Sequence, residues 1–148
     1  MIHQDALATE DLPNPSSPSY IVSMAKSYRA GDKLFEEGDI GREMFIVLKG
    51  EVSISRAAGD TRARLAEFKE GDFFGEMALV GSGLRTGTAT VEVDRTELVA
   101  VNQARFVYLV SQQPAFALSI MRLMGRRVEA MNQRLSELGV QVTEGVTQ

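Results

Sequence analysis

Met44-Phe45-Ile46-Val47-Leu48-Lys49-Gly50-Glu51-Val52-Ser53-Ile54-Ser55 reads as two short strands joined by a tight connection. Met44 to Leu48 is an unbroken apolar run. Beyond the connection, Val52 and Ile54 alternate with Ser53 and Ser55, which is the pattern of a half-buried strand. Gly50 is free to take the positive φ that a tight strand-to-strand link needs.

The same texture extends outward from about Ser27 to Val101. Further short apolar runs are Lys33-Leu34-Phe35, Leu65 to Phe68, Ala89-Thr90-Val91-Glu92-Val93 and Leu98 to Val101. Glycine-acid pairs punctuate them at Gly31-Asp32, Gly38-Asp39, Gly59-Asp60 and Gly71-Asp72. Strands of this length with regular turn signals predict an antiparallel β-barrel or jelly roll.

After Asn102 the period changes. A short helix is expected from about Gln103 to Ser111, and Pro114 stands where a second helix would begin. Met121, Met124, Val128, Met131, Leu135 and Leu138 then recur at spacings of 3, 4, 3, 4 and 3. That is a heptad seam on one long helix, ended by Gly139. Arg122, Arg126, Arg127 and Arg134 read as a solvated helix face rather than a nucleic-acid patch. The seam has two explanations: it docks the helix on its own barrel, or it pairs with a second copy. The dimer through helix 114–138 is the favoured reading.

Residues 1–20 carry Pro13, Pro15 and Pro18 among serines and are expected to be a flexible leader. Residues 21–139 are expected to be the domain, with the barrel at about 27–101 and the helices at about 103–138. Residues 140–148 are expected to be an unstructured tail, with no room for a second domain after Gly139. The fold class is thus mainly β with C-terminal helices.

Composition removes several functions. The chain has 148 residues, 44% apolar and 24% charged, with a formal net charge of −4. That charge opposes nonspecific binding to nucleic-acid phosphates, which needs clustered Lys and Arg, so no nucleic acid is expected for this chain alone. No apolar run approaches the ~18 residues of a membrane span, so no membrane contact is expected either. Cysteine is absent, and the only histidine, His3, lies in the leader expected to be flexible. Disulfides, thiolate or three-histidine metal sites and serine–histidine pairs are therefore not available. A cytoplasmic protein without metal, cofactor or catalytic residues is expected.

The stretch that carries chemistry runs Phe73-Phe74-Gly75-Glu76-Met77-Ala78-Leu79-Val80-Gly81-Ser82-Gly83-Leu84-Arg85-Thr86-Gly87-Thr88-Ala89. Gly75 lets the backbone approach a ligand. Glu76 to Val80 has the composition of a short helical turn, whose first N–H groups would face an anion. Arg85 follows across a glycine-bearing bend, and a guanidinium donates two parallel hydrogen bonds to phosphate. A carboxylate beside a phosphate needs its own donor, such as a ribose 2′-OH. Phosphate and a free 2′-OH on one compact sugar describe a 3′,5′-cyclic nucleotide.

This stretch resembles the phosphate-binding cassette of cyclic-nucleotide-binding domains, the family of sensor modules found in catabolite activator protein, cAMP- and cGMP-dependent kinases and cyclic-nucleotide-gated channels. The family pattern is Phe-Gly-Glu-x-Ala-Leu, a variable stretch, then Arg followed by Ser, Thr or Ala and usually Ala. Here it is Phe74-Gly75-Glu76-Met77-Ala78-Leu79 and Arg85-Thr86, with Gly87 where alanine is usual. Glycine keeps the N–H, so a looser cassette is expected rather than a lost one. The resemblance extends to Leu34-Phe35-Glu36-Glu37-Gly38-Asp39 and Lys49-Gly50-Glu51-Val52 and covers roughly residues 27–138.

The resemblance implies a non-enzymatic sensor. Glu76 would bind the ribose 2′-OH, with Phe74, Gly75, Met77 and Ala78 supplying the backbone around it. Arg85 would pair with the phosphate, helped by Thr86 and the Gly87 N–H. Ile54, Leu65 and Ala66 would form the wall beside the base. Arg127, Met131 and Asn132 match helix positions that cover the base, although Met131 also fits as a plain seam residue. Thr86 matches a threonine that accompanies cGMP recognition in kinases, while channels with it accept both nucleotides. cAMP is favoured here, with cGMP close behind. The alternatives are the sensing part of a DNA-binding regulator or channel, or an interaction domain that has lost its ligand.

Overall fold

The computed structural model describes residues 18–139, with side chains described from Tyr20 onward. Its elements in chain order are α1 (Pro18–Ser23), β1 (Lys26–Tyr28), β2 (Lys33–Phe35), β3 (Glu43–Lys49) and β4 (Glu51–Ala58). They continue as β5 (Thr61–Lys69), β6 (Phe73–Phe74), α2 (Met77–Val80), β7 (Thr88–Val91) and β8 (Thr96–Asn102), then α3 (Gln103–Gln112) and α4 (Pro114–Glu137). Two compact units divide between Gln112 and Gln113.

The first unit holds two four-stranded sheets, ordered β1-β8-β3-β6 and β2-β7-β4-β5, and every pairing is antiparallel. The expected β architecture is present as a jelly-roll-like sandwich, with two sheets rather than one closed barrel. The alternation read in the sequence fills its core. Phe45 and Val47 from β3, Val52 from β4, Phe74 from β6, Ala89 and Val91 from β7 and Leu98 from β8 form one buried cluster. Within it Phe74 stacks on Phe45 at 5.3 Å and on Phe68 at 5.2 Å. Aromatic pairs of this kind add about 0.5–1.5 kcal/mol each beyond their buried area.

Three of the glycine-acid pairs form one recurring turn. In each, the glycine takes a φ of 90° to 94° and the aspartate carboxylate accepts the N–H three residues earlier. The pairs are Arg29 N–H with Asp32, Glu36 N–H with Asp39, and Lys69 N–H with Asp72. Gly50 takes φ 98° between β3 and β4, and a Cβ there would collide with Thr96. No side chain fits that hairpin.

The boundary expected for the leader moves. Helix α1 is described from Pro18, so Pro18 to Tyr20, inside the stretch read as flexible, lie in a helix. Tyr20 meets the Tyr108 ring of α3 at 6.3 Å. The rest of the leader, residues 1–17, and the tail from Val140 lie outside the described residues. The two C-terminal helices fall where the change of period put them. In the second unit, α4 runs 24 residues, with Pro114 in its first turn and Gly139, at φ 82°, just past its end. Among the described residues no helix is long and apolar enough to cross a membrane.

Candidate functional site

Strand β6 delivers the chain from the core to the surface at Gly75, which has φ 78°. A residue with a side chain is strained there. Glu76 precedes α2 with helical angles, and its carboxylate is half-buried. The helix is one turn long, closed by Gly81 N–H on the Met77 carbonyl at 2.8 Å. The chain then bends through Gly83 at φ 84° and meets the loop after β2 as a short antiparallel bridge, Leu84 opposite Ile40.

That bridge clamps Arg85 by its backbone. Gly38 N–H donates to the Arg85 carbonyl at 2.8 Å, Arg85 N–H donates to the Asp39 carbonyl at 2.8 Å, and Gly41 N–H donates to Gly83 at 2.7 Å. The side chain is pulled inward and is only 6% exposed. Its Nη2 donates to the Glu43 carbonyl at 2.7 Å and its Nη1 to the Gly75 carbonyl at 3.3 Å. The guanidinium lies 3.9 Å over the Phe35 ring. Cβ atoms at Gly41 or Gly75 would intrude on it. The arginine thus sits in a slot that two glycines leave open.

The slot does not satisfy the charge it holds. Among the described residues Arg85 Nε–H is buried without an acceptor, which costs about 1–3 kcal/mol. Burial pushes the guanidinium down from its ordinary pKa, and the Glu43 and Asp39 carboxylates pull it back in part. The group keeps its proton and gains from any anion brought close.

Beside the slot, Ala89, Ile54 and Ala66 stand in one row across β7, β4 and β5. Leu65 is the extra residue of a β-bulge: pairing steps from Ile54 with Ala66 to Ser55 with Arg64, and Leu65 is half exposed. Gly87 is buried, and a Cβ on it would meet Ile54 Cγ2 at 2.6 Å and the Ser55 carbonyl at 3.0 Å. Gly87 is therefore packed tightly against β4, where looseness was expected. Thr86 is exposed, and its carbonyl accepts from Arg56 Nε at 3.1 Å.

The family model for the cyclic nucleotide-binding domain matches residues 25–113, more than half of the chain. The chain is a cyclic-nucleotide-binding domain. It is 32% identical over 112 residues to the cyclic AMP receptor protein of Thermus thermophilus, covering 75% of this chain and 51% of that one. The crystal structure of the catabolite activator protein of the same organism superposes with TM-score 0.68 at 27% identity, over 85% of this chain and 63% of that one. A solved structure described as part of a cyclic-GMP-dependent signalling pathway in bacterial phytopathogenesis superposes with TM-score 0.60 at 27% identity, over 84% and 95%. The chain thus spans about half the length of that cyclic AMP receptor protein.

Within this cyclic-nucleotide-binding domain the structure brings together most of the residues expected at the site. Gly75, Glu76, Arg85, Thr86 and Gly87 form one bend, with Ile54 and Ala66 on the adjoining sheet. Phe74 is different: its side chain is 1% exposed and belongs to the core stack, so only its backbone is left for the site. Met77 is exposed on the outside of α2, and Ala78 is half-buried. Arg127, Met131 and Asn132 lie on α4, in the second unit.

Sequence reasoning missed the residues that hold the arginine. Phe35, Gly41 and the Glu43 carbonyl build its slot, and Gly38-Asp39, read as a plain turn, clamps its backbone. Glu37 accepts from Ala57 N–H at 3.1 Å and stands 3.8 Å from Arg56, which itself ties β4 to Thr86. Phe35, Gly38 and Asp39 stood in the stretch that carries the resemblance, but nothing in it pointed to Arg85.

Proposed function

We propose that this domain binds a 3′,5′-cyclic nucleotide, cAMP in preference and cGMP next, as a non-catalytic sensor. The observation that carries the reading is Arg85, a buried cation with an orphaned N–H beside Gly75 and Glu76. The phosphate offsets the charge that burial leaves under-solvated, and Glu76 accepts from the ribose 2′-OH. Thr86 and the Gly87 N–H complete the phosphate contacts, and Ile54, Leu65 and Ala66 flank the base. The C-terminal helices then move to cover it through Arg127, Met131 and Asn132. Signalling requires that ligand bind the closed arrangement better than the open one.

The test is calorimetric titration of cAMP and cGMP into wild type, Arg85→Ala and Glu76→Ala. Micromolar or tighter binding is expected for wild type. Arg85→Ala weakens it on the order of a hundredfold, since charge-assisted hydrogen bonds are worth about 1.5–3 kcal/mol each. Glu76→Ala removes the second group independently, and circular dichroism of both variants guards against a mere folding defect. Unchanged affinity in both variants overturns the assignment, and the wild-type ratio decides the base.

A second reading follows from the chain spanning about half of the cyclic AMP receptor protein it resembles: this domain is the sensing part of a DNA-binding regulator. A mobility shift by this chain alone at physiological salt is not expected. Retardation by a longer form carrying further sequence would support that reading.

A further inference from the structure

One cleft is lined by residues of both sheets. Lys26 lies opposite Leu98 and Glu43 opposite Asn102. Residues directly opposite in an antiparallel pair share a face, and Leu98 belongs to the core. The core-facing side of the β1-β8-β3 sheet therefore ends in charged and amide groups instead of apolar ones. Lys33 approaches from β2 of the other sheet, and Arg105 from the start of α3.

Between them is a cleft of about 510 Å³, within the ~300–1,000 Å³ of ordinary small-molecule sites. Leu34, Phe45 and Ala100 supply its apolar part, and Tyr28 and Asn102 its neutral polar groups. Lys26, Lys33 and Arg105 face a single lining carboxylate, Glu43, in a chain whose net charge is −4. Asp32 lies near Tyr28 as a further acid. Among the described residues, neither lysine makes an ion pair or a side-chain hydrogen bond. Arg105 spends one Nη1 bond on the Ala100 carbonyl at 2.9 Å, which fixes its head beside the cleft.

We infer that this cleft is a second ligand site, separate from the cassette, for a small organic anion with a flat apolar body. The lysines and Arg105 take the anionic group. The half-buried Leu34 and Ala100, with the little of Phe45 left exposed, take the body. Tyr28 donates from a hydroxyl that stays protonated at neutral pH. The inference does not depend on the cyclic-nucleotide reading, because Lys26, Lys33, Arg105 and Tyr28, which would hold the anion, make no contact with the Arg85 slot; only the Glu43 backbone carbonyl is shared with it.

The test is a titration of ¹⁵N-labelled protein with naphthalene-2-carboxylate, followed by amide shifts. Saturable shifts at Tyr28, Phe45 and Ala100 are expected, with a dissociation constant of about 1 mM or below. Lys26→Glu with Lys33→Glu, both exposed positions, should weaken binding about tenfold or more and leave the remaining spectrum in place. Four results overturn the site. Shifts confined to Ile54, Ala66 and Gly87 mean that the anion enters the cassette. Shifts that survive the double charge reversal mean apolar adsorption. Absence of shifts up to about 10 mM means no site. Binding of an oligoglutamate peptide in place of the arene assigns the face to an acidic protein partner.

Discussion

Arg85 is a cation kept where water cannot solvate it fully, and the neighbouring glycines are what keep it there. Cation–π contact with Phe35 returns about 0.5–2 kcal/mol, less than full solvation of the charge would. A bound anion is the natural remedy. Gly87 works by size rather than by flexibility. Gly87→Ala puts a Cβ against Ile54 and the Ser55 carbonyl, and the carbonyl is backbone that cannot step aside. The expected loss is about 1–3 kcal/mol of stability in urea unfolding, the usual range for overpacking. Ligand affinity should fall less than in Arg85→Ala, since the N–H at position 87 survives. Tyr28 sets an alkaline limit. Burial first, then the Glu43 and Asp32 carboxylates, raise its pKa above the ordinary 10.0. The unfolded tyrosine ionises before the folded one, so the folded state binds more protons in that window and stability falls as pH rises. The contribution is intact below pH 10 and is lost through the raised folded value. Melting temperatures measured on either side of pH 10 should decline less steeply for Tyr28→Phe than for wild type.

At the scale of elements, the turns and α4 decide most. The three Gly-Asp turns are local devices, each satisfying its own backbone with its own carboxylate, so they are readable without a partner strand. Helix α4 is readable by period but not by contact. Met121, Val128, Met131 and Leu138 are 56% to 77% exposed on this chain, although they stand on the heptad seam. Exposed apolar residues at that spacing are what a paired helix presents. The expected outcome is a dimer by light scattering at micromolar concentration. Val128→Glu with Met131→Glu should give a monomer with an unchanged sandwich by circular dichroism. A wild-type monomer would leave the seam to docking on its own sandwich.

For the whole molecule, the sandwich is the frame and the cassette a bend hung between β6 and β7. Ligand that binds only the folded state raises stability by about 2.7 kcal/mol at a hundred times its dissociation constant. Thermal melts with saturating cAMP should therefore shift upward by several degrees in wild type and not in Arg85→Ala. An equal shift in both would mean that the nucleotide acts elsewhere.

The sequence by itself determined six of the strands, the two C-terminal helices, the β class and the bend that carries Gly75, Glu76 and Arg85. Each of these rests on local rules: alternation over Val52 to Ser55, glycine where φ must be positive, and a heptad period from Met121. Tertiary structure alone decided that two sheets face each other instead of closing, because strand order depends on partners distant in sequence. It decided that Pro18 to Tyr20 belong to a helix rather than to the leader. It turned Arg85 inward onto Phe35 and the Glu43 carbonyl, 42 residues away along the chain, and it packed Gly87 on Ile54. A slot built from Phe35, Gly41, Glu43 and Gly75 around a distant Arg85 leaves no periodic trace in the sequence. Only the folded chain brings its walls together.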